Sequence, residues 1–269
     1  MLLPERQAVF QQFIQEYEAV RKAEGRGSTS AAFYQGLPYH HPEKAAAADW
    51  RVRAASFKAF VNRVLIPYEQ LIGRALRILD LGAGNGWLSN RLAARGHQVA
   101  AVDLTTNDFD GLGCCRYYET QFLPVQAEYD YLPFASRSAD LALFNASLHY
   151  STGYEKTLGE SLRVLDTNGR LIILDTPFYH DKTSGEKMVQ ERQSQFVQKY
   201  GFPSNVLASE NYLTYRRLAG LAADLDLVYQ ILTPFYGMGW ALHPWKNRLL
   251  GRREPAKFHL VVMQAQSKA

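Results

Sequence analysis

The chain has 269 residues, of which 47% are apolar and 21% charged, and its 30 Lys and Arg against 26 Asp and Glu give a net charge of +4. This composition excludes a disordered chain, which would lack the apolar surface that offsets the entropy of ordering. The mild charge gives no reason to expect a nucleic-acid partner, and no apolar run reaches the roughly 18 residues that span a bilayer. Two adjacent cysteines, Cys114 and Cys115, exclude a disulfide framework and favour a cytoplasmic setting.

The first 75 residues are predicted to form a helical cap. Apolar residues such as Phe10, Phe13 and Tyr17 recur at helical spacing, so we expect a first helix that ends near Gly25. A second helix is expected from about residue 44 to 66, with Pro67 marking its exit. Between them lies a polar and aromatic loop whose rings are candidates to shape an acceptor pocket or to pack the cap on the core: Tyr34, Tyr39, His40 and His41.

From residue 76 onward, short apolar segments alternate with helical ones. This alternation predicts right-handed βαβ units and a parallel sheet. The expected strands are 77–81, 98–103, 123–129, 140–145, 170–175, 228–232 and 257–263. A turn is expected at 166–169, a helical insertion at about 180–225, and a flexible aromatic stretch at 235–240. The resulting division is a cap over residues 1–75 and an α/β domain over residues 76–269.

A glycine turn between the first strand and the next helix carries the most information. Gly82, Gly84 and Gly86 have the spacing G-x-G-x-G, and Asp103 ends the following strand. Such a turn lets backbone approach a ligand, the helix start offers unpaired N–H groups, and a carboxylate at position 103 can accept both hydroxyls of a ribose. A dinucleotide fingerprint needs a third glycine where Trp87 stands, and a tryptophan would obstruct that close contact.

These residues, with Asp80 two places before the turn, resemble the first motif of class I S-adenosylmethionine-dependent methyltransferases. The segment 128–134, Glu-Tyr-Asp-Tyr-Leu-Pro-Phe, resembles the type 11 small-molecule members of that class. The resemblance implies a doubly wound, seven-stranded, mostly parallel sheet whose last strand is inserted antiparallel. It also implies S-adenosylmethionine as cofactor and S-adenosylhomocysteine as product. The implied cofactor residues are Asp80, Gly82, Ala83, Gly84, Gly86, Asp103, Leu104, Glu128, Tyr129 and Asn145, with Asp130 a rival to Glu128 for the adenine amino group.

The sequence says less about which residues bind or activate the methyl acceptor. His149 follows the fourth strand, where ligands bind in such sheets, and is a candidate general base because its ordinary pKa is about 6.5. The alternative is a structural role, in which the ring nitrogens of His149 are hydrogen-bonded at the start of a helix. Phe178 and Tyr236 are further candidates to flank the acceptor, and no metal is expected. The residue that meets the cofactor carboxylate stays open among Tyr34, Trp50 and Arg51.

The predicted function is methyl transfer to a small organic acceptor at oxygen, nitrogen or carbon, by a monomer or homodimer. Three rivals stay open: a methyltransferase acting on RNA or protein, a non-catalytic S-adenosylmethionine-binding module, and a nicotinamide oxidoreductase. A basic cluster late in the chain fits a solvated loop or a surface for an anionic acceptor, a membrane or RNA. Its members are Lys246, Arg248, Arg252, Arg253 and Lys257.

Overall fold

The structure is a computed structural model that describes residues 4–40, 47–202 and 207–266, without the side chains of Glu5 and Lys246. His41 and the predicted helix start at residues 44–46 lie outside the described residues. The α-helices of the described part are α1 Gln7–Ala23, α2 Ala31–Gly36, α3 Ala47–Phe60, α4 Ile66–Ile72, α5 Trp87–Ala93, α6 Tyr154–Val164, α7 Lys182–Tyr200, α8 Tyr215–Asp224 and α9 Met238–Leu249. No helix in these ranges is long and apolar enough to cross a bilayer.

The strands form one large and one small sheet. They are β1 Arg77–Leu81, β2 Gln98–Asp103, β3 Leu123–Gln126, β4 Ala139–Asn145, β5 Leu165–Leu174, β6 Pro177–Tyr179, β7 Leu213–Thr214, β8 Leu227–Leu232, β9 Lys257–Phe258 and β10 Leu260–Ala265. The large sheet has the order β3-β2-β1-β4-β5-β10-β8, and β10 runs antiparallel to both of its neighbours. This arrangement confirms the predicted fold class, including the inserted antiparallel strand.

The central strands are almost wholly buried because helices cover both faces of the sheet. On one face, Phe57 and Leu65 of the N-terminal helices pack in the same core as Ile78 and Leu141 of the strands. The other face is covered by α6 and α8, through side chains such as Leu158. Because the N-terminal helices share a core with the sheet, the boundary between residues 75 and 76 stays a prediction.

The predicted exit of the second helix at Pro67 is wrong. The helical path runs from α3 through a π-helical turn, Val61–Leu65, into α4, and Pro67 lies in the first turn of α4. Pro67 lies just after the π-helical turn, where the regular i→i−4 hydrogen bonds that a proline cannot join are already interrupted. The chain leaves the helix at Gly73, which adopts the left-handed conformation with φ of 68°.

Other local predictions also need correction. The aromatic loop contains the short helix α2, and the stretch 235–240 runs into α9. Gly239 and Pro244 within α9 disfavour a helix by propensity, so the sequence did not predict it. The expected turn at 166–169 lies within β5 as an irregularity in its pairing with β4. The last predicted strand is split at His259, and its first part joins the small sheet, which has the order β7-β6-β9.

Candidate functional site

The glycine turn after β1 is held against β2. The backbone N–H groups of Gly82 and Ala83 both donate to the Val102 carbonyl oxygen, at 2.7 and 3.0 Å. Gly82, Gly84 and Gly86 have φ values of 77°, 54° and 77°, in the left-handed region that favours glycine. At Gly82 a Cβ atom would also collide with the Tyr129 hydroxyl and with Ser147. The turn therefore requires glycine for both conformation and space.

Asp103 lies at the carboxyl end of β2, directly beside this turn. Its Oδ2 atom accepts from the Gly84 N–H at 2.8 Å, and its Oδ1 atom accepts from the backbone N–H and the hydroxyl of Thr105 at 2.8 and 2.7 Å. Burial raises the pKa of Asp103, and the hydrogen bonds from Thr105 and Gly84 act against that rise. A carboxylate has about four acceptor positions, so these contacts leave capacity for a ligand.

A cavity lies at this edge of the sheet, with about 710 Å³ of empty space when the part open to solvent is included. Six of the predicted cofactor residues line it: Gly82, Gly84, Asp103, Leu104, Glu128 and Tyr129. Its position outside the carboxyl ends of the strands, at the point where the strand order reverses between β1 and β4, is where ligands bind in doubly wound sheets.

The N-terminal segment also lines the cavity. Its residues were not among the predicted cofactor residues. Arg6 lies 3.1 Å from Glu128 Oε2 and 3.2 Å from Asp130 Oδ2. The α1 side chains Phe10, Phe13 and Tyr17 also line the cavity. Their helical periodicity was visible in the sequence, but it indicates an apolar face without showing what that face covers.

The other predicted cofactor residues lie near the cavity without lining it. Asp80 is buried beneath the turn, accepts a hydrogen bond from the Ser89 hydroxyl at 2.7 Å, and has a pKa raised by burial to about 7. Ala83 is buried in a small apolar cluster, and a Cβ atom at Gly86 would meet the Phe122 ring. Asn145 is half-buried at the end of β4. For these four residues a cofactor role stays a prediction.

His149 lies beside the cavity, and its environment makes it a weak base. Its ring packs against Tyr150, which lines the cavity, with ring centroids 4.4 Å apart. Burial, with the positive charges of Arg192 and Arg53, lowers the pKa of His149 to about 3. Such an imidazole is neutral near pH 7 but accepts a proton poorly. The general-base role therefore stays a prediction that the surroundings do not favour.

A group of buried polar side chains, the Arg53 cluster, lies at the neighbouring carboxyl end of β5. The Ser56 hydroxyl on α3 donates to Asp175 Oδ1 and lies 2.9 Å from the Tyr236 hydroxyl. The cluster consists of Trp50, Arg53, Ser56, Asp175, Thr176 and Tyr236.

Four polar atoms of the Arg53 cluster have no hydrogen-bond partner among the described residues: Trp50 Nε1, Arg53 Nη1, Asp175 Oδ2 and Thr176 Oγ1. Each buried polar atom without a partner costs about 1–3 kcal/mol. Native structures keep few of them except at functional sites. Ala146, which lines the cavity, donates its N–H to the carbonyl of Leu174, the residue before Asp175.

The remaining candidates for the acceptor pocket do not line the cavity. Tyr34 is fully buried, donates its hydroxyl to the Phe109 carbonyl at 2.6 Å and stacks on Tyr117, so it packs the cap on the core. Tyr39 and His40 are exposed. Phe178 is fully buried in the second core. Of the predicted acceptor residues that the structure describes, only Tyr236 joins the Arg53 cluster.

Comparisons with known proteins agree with this geometry. Residues 79–173 match a family described as a methyltransferase domain. A malonyl-[acyl-carrier protein] O-methyltransferase of Erwinia pyrifoliae is 33% identical over 100 residues, which are 37% of this chain and 37% of the relative. The chain thus spans little more than a third of the length of that curated relative.

Two solved structures share the fold at low sequence identity. A putative sarcosine dimethylglycine methyltransferase from Galdieria sulphuraria is 13% identical with a TM-score of 0.57, covering 93% of this chain and 98% of that one. The 1,6-didemethyltoxoflavin-N1-methyltransferase of Burkholderia thailandensis, solved with its substrate and S-adenosylhomocysteine, is 15% identical with a TM-score of 0.54. That match covers 99% of this chain and 92% of the other.

Proposed function

Because this chain carries a class I S-adenosylmethionine-dependent methyltransferase domain, we propose that it transfers a methyl group from S-adenosylmethionine to a small organic acceptor. The observation that carries the proposal is the 710 Å³ cavity, in which the glycine turn, Asp103 and Glu128 converge. The relatives support the same reading. One is named for O-methylation of malonyl-[acyl-carrier protein] and one for N1-methylation of 1,6-didemethyltoxoflavin.

The residues of the cavity fit the parts of this cofactor. Asp103 keeps one acceptor position for a ribose hydroxyl, on the Oδ2 atom that accepts only from Gly84 among the described residues. Glu128 is 2% exposed beside the cavity and can accept from the adenine amino group, and the Tyr129 backbone N–H is the candidate donor to the ring. Leu104 and the apolar side chains of α1 offer apolar surface for the base. Gly82 and Gly84 let the backbone approach the rest of the molecule.

We assign the acceptor to the side of the Arg53 cluster. Glu128 follows β3 and Asp175 follows β5, and these strands lie on opposite sides of β1 in the sheet. An adenosine group beside β2 and β3 therefore directs the other end of the cofactor toward β4 and β5. Asp175 Oδ2 and Thr176 Oγ1, which have no hydrogen-bond partner among the described residues, then suit an acceptor that carries a hydrogen-bond donor.

Methyl transfer requires mainly that the protein aligns the cofactor with the acceptor and excludes water. The bound cofactor supplies an activated methyl group on a sulfonium sulfur. The aromatic side chains Phe13, Tyr17 and Tyr150 shield the cavity with ring centroids 5.7–6.1 Å apart. Where the acceptor loses a proton on attack, Asp175 is the candidate to hold it. Burial raises the pKa of this carboxyl group, and Ser56 orients it.

The proposal is tested by incubating the protein with S-adenosylmethionine labelled in its methyl group and with a cell extract. The extract is divided into a fraction below about 1 kDa and a dialysed macromolecular fraction. We expect S-adenosylhomocysteine and a labelled product only with the small-molecule fraction. Label in RNA or protein would replace the proposal with a macromolecular methyltransferase, and calorimetric binding without turnover would indicate a non-catalytic module.

A further inference from the structure

Helix α9, Met238–Leu249, carries an apolar stripe that the enzyme activity does not use. The stripe lies at positions 238, 242, 245 and 249, which share one face of a helix because they are three and four residues apart. All four side chains are exposed: Met238 at 67%, Leu242 at 58%, Trp245 at 68% and Leu249 at 86%. Phe235 and Leu250, exposed at 73% and 54%, extend the same apolar surface at its two ends.

The opposite side of α9 packs against the rest of the protein. Trp240 packs on Tyr236 and Phe258, with ring centroids 5.3 and 5.7 Å apart, and the Asn247 amide donates to the Arg253 carbonyl. The helix is therefore apolar on the face toward the protein and also on the face toward solvent. A helix of that kind is expected to be covered on both sides.

The charges around the stripe indicate what covers it. Residues 235–253 contain no Asp or Glu. Arg248 and Arg252 are exposed, and no acidic partner of either is found among the described residues. A second copy of the same helix would bring no carboxylate to these cations, whereas an anionic surface compensates both of them together.

Exposed tryptophan and leucine side chains next to unpaired arginines are the pattern of a helix that lies in the plane of a lipid interface. At 12 residues, α9 is too short to span a bilayer. We propose that this helix docks the protein on an anionic lipid bilayer, with the stripe (Met238, Leu242, Trp245 and Leu249) among the acyl chains and the arginines at the headgroups. This inference is independent of the cofactor site.

The test is sedimentation of the full chain with vesicles of phosphatidylcholine, with and without one quarter phosphatidylglycerol. We expect at least tenfold tighter binding to the anionic vesicles, and at least a tenfold loss in 0.5 M salt, which reduces the Debye length to a few ångströms. The emission of Trp245 is expected to shift to shorter wavelength on binding, and that shift is lost in Trp245→Phe.

Two pairs of substitutions separate the apolar and the charged contributions. The pair Leu242→Gln and Leu249→Gln is expected to weaken binding at least tenfold, since both side chains are exposed and their loss leaves the core intact. Arg248→Gln with Arg252→Gln is expected to abolish the preference for anionic lipid. Leu71→Gln on α4, a leucine exposed at 70% outside the stripe, is the matched control and is expected to bind like wild type.

Three results would overturn the docking proposal. The first is equal sedimentation with anionic and neutral vesicles. The second is binding that neither pair of substitutions changes. The third is a dimer in analytical ultracentrifugation that the leucine pair converts to a monomer, because a second copy of the chain would then cover the stripe. Cofactor binding by the same variants is expected to be unchanged, so failure here leaves the proposed function standing.

Discussion

Replacement of Asp103 by asparagine keeps the size of the side chain and removes its charge. In the structure, one carboxylate oxygen accepts from Gly84 and the other accepts twice from Thr105, all within 2.8 Å. An amide has one oxygen and one NH₂ group, so in either orientation it places a donor against a donor. The substitution therefore weakens the support of the glycine turn and also removes the charged acceptor for the ribose.

The expected loss of cofactor affinity follows from the hydrogen bonds involved. A hydrogen bond to a charged group contributes about 1.5–3 kcal/mol, so the loss of one ribose contact is worth at least about 1.5 kcal/mol, or roughly tenfold in Kd. The assay is isothermal titration calorimetry with S-adenosylhomocysteine, which undergoes no methyl transfer during the titration. Circular dichroism checks that Asp103→Asn is folded.

Asp108→Asn is the matched control, because this carboxylate lies near Asp103 in the chain, has a side chain exposed at 60% and pairs only with Arg116 among the described residues. We expect it to bind like wild type. A folded Asp103→Asn protein with a Kd within threefold of wild type would refute the ribose assignment.

Two further predictions concern stability. Asp140 is 2% exposed and accepts from two arginine side chains, which outweigh burial and hold its pKa below the usual range. Asp140→Asn is therefore expected to lower the free energy of unfolding by about 2 kcal/mol at pH 7. Because the folded-state pKa of Asp140 is depressed, this contribution to stability is present above about pH 4 and is lost as pH falls further. Urea titrations in which the free energies of unfolding of wild type and Asp140→Asn differ by the same amount at pH 3 and pH 7 would contradict this prediction. Gly82→Ala is expected to cost about 3 kcal/mol, from the left-handed backbone and the collision at its Cβ. Gly159→Ala in α6, whose Cβ meets nothing within 4 Å, is expected to raise stability by up to about 1 kcal/mol, and equal melting temperatures for the two alanine variants would be the contrary result.

The sequence predicts the centre of this fold well for a physical reason. From β1 to β5 the strands and the glycine turn are encoded by local patterns, namely short apolar runs, glycines at fixed spacing and Asp103 at a strand end. These patterns need no knowledge of distant contacts. Of the predicted residues that line the cavity, Gly82, Gly84 and Asp103 lie in such segments, whereas Glu128 and Tyr129 follow β3 and were implied by the family resemblance.

What the sequence did not predict depends on long-range packing. The apolar face of α1 is visible from its periodicity, but its position over the cavity, and the approach of Arg6 to Glu128, join residues more than 120 positions apart. The polar atoms of the Arg53 cluster come from three separate segments. The lowered pKa of His149 has the same origin, because the burial and the cations that cause it are tertiary features.

The position of β10 between β5 and β8 has a consequence for the order of assembly. Residues 227–232 pair only with residues 260–265 in the large sheet, so β8 cannot join that sheet before β10 has formed. During synthesis, about thirty further residues, including α9, must leave the ribosome after β8 before β10 is complete. Until then, the edge of β5 that pairs with β10 and the whole of β8 lack their partner strand. An unpaired strand edge of this kind is a site of mispairing. Premature arrest within those residues should leave an aggregation-prone nascent chain.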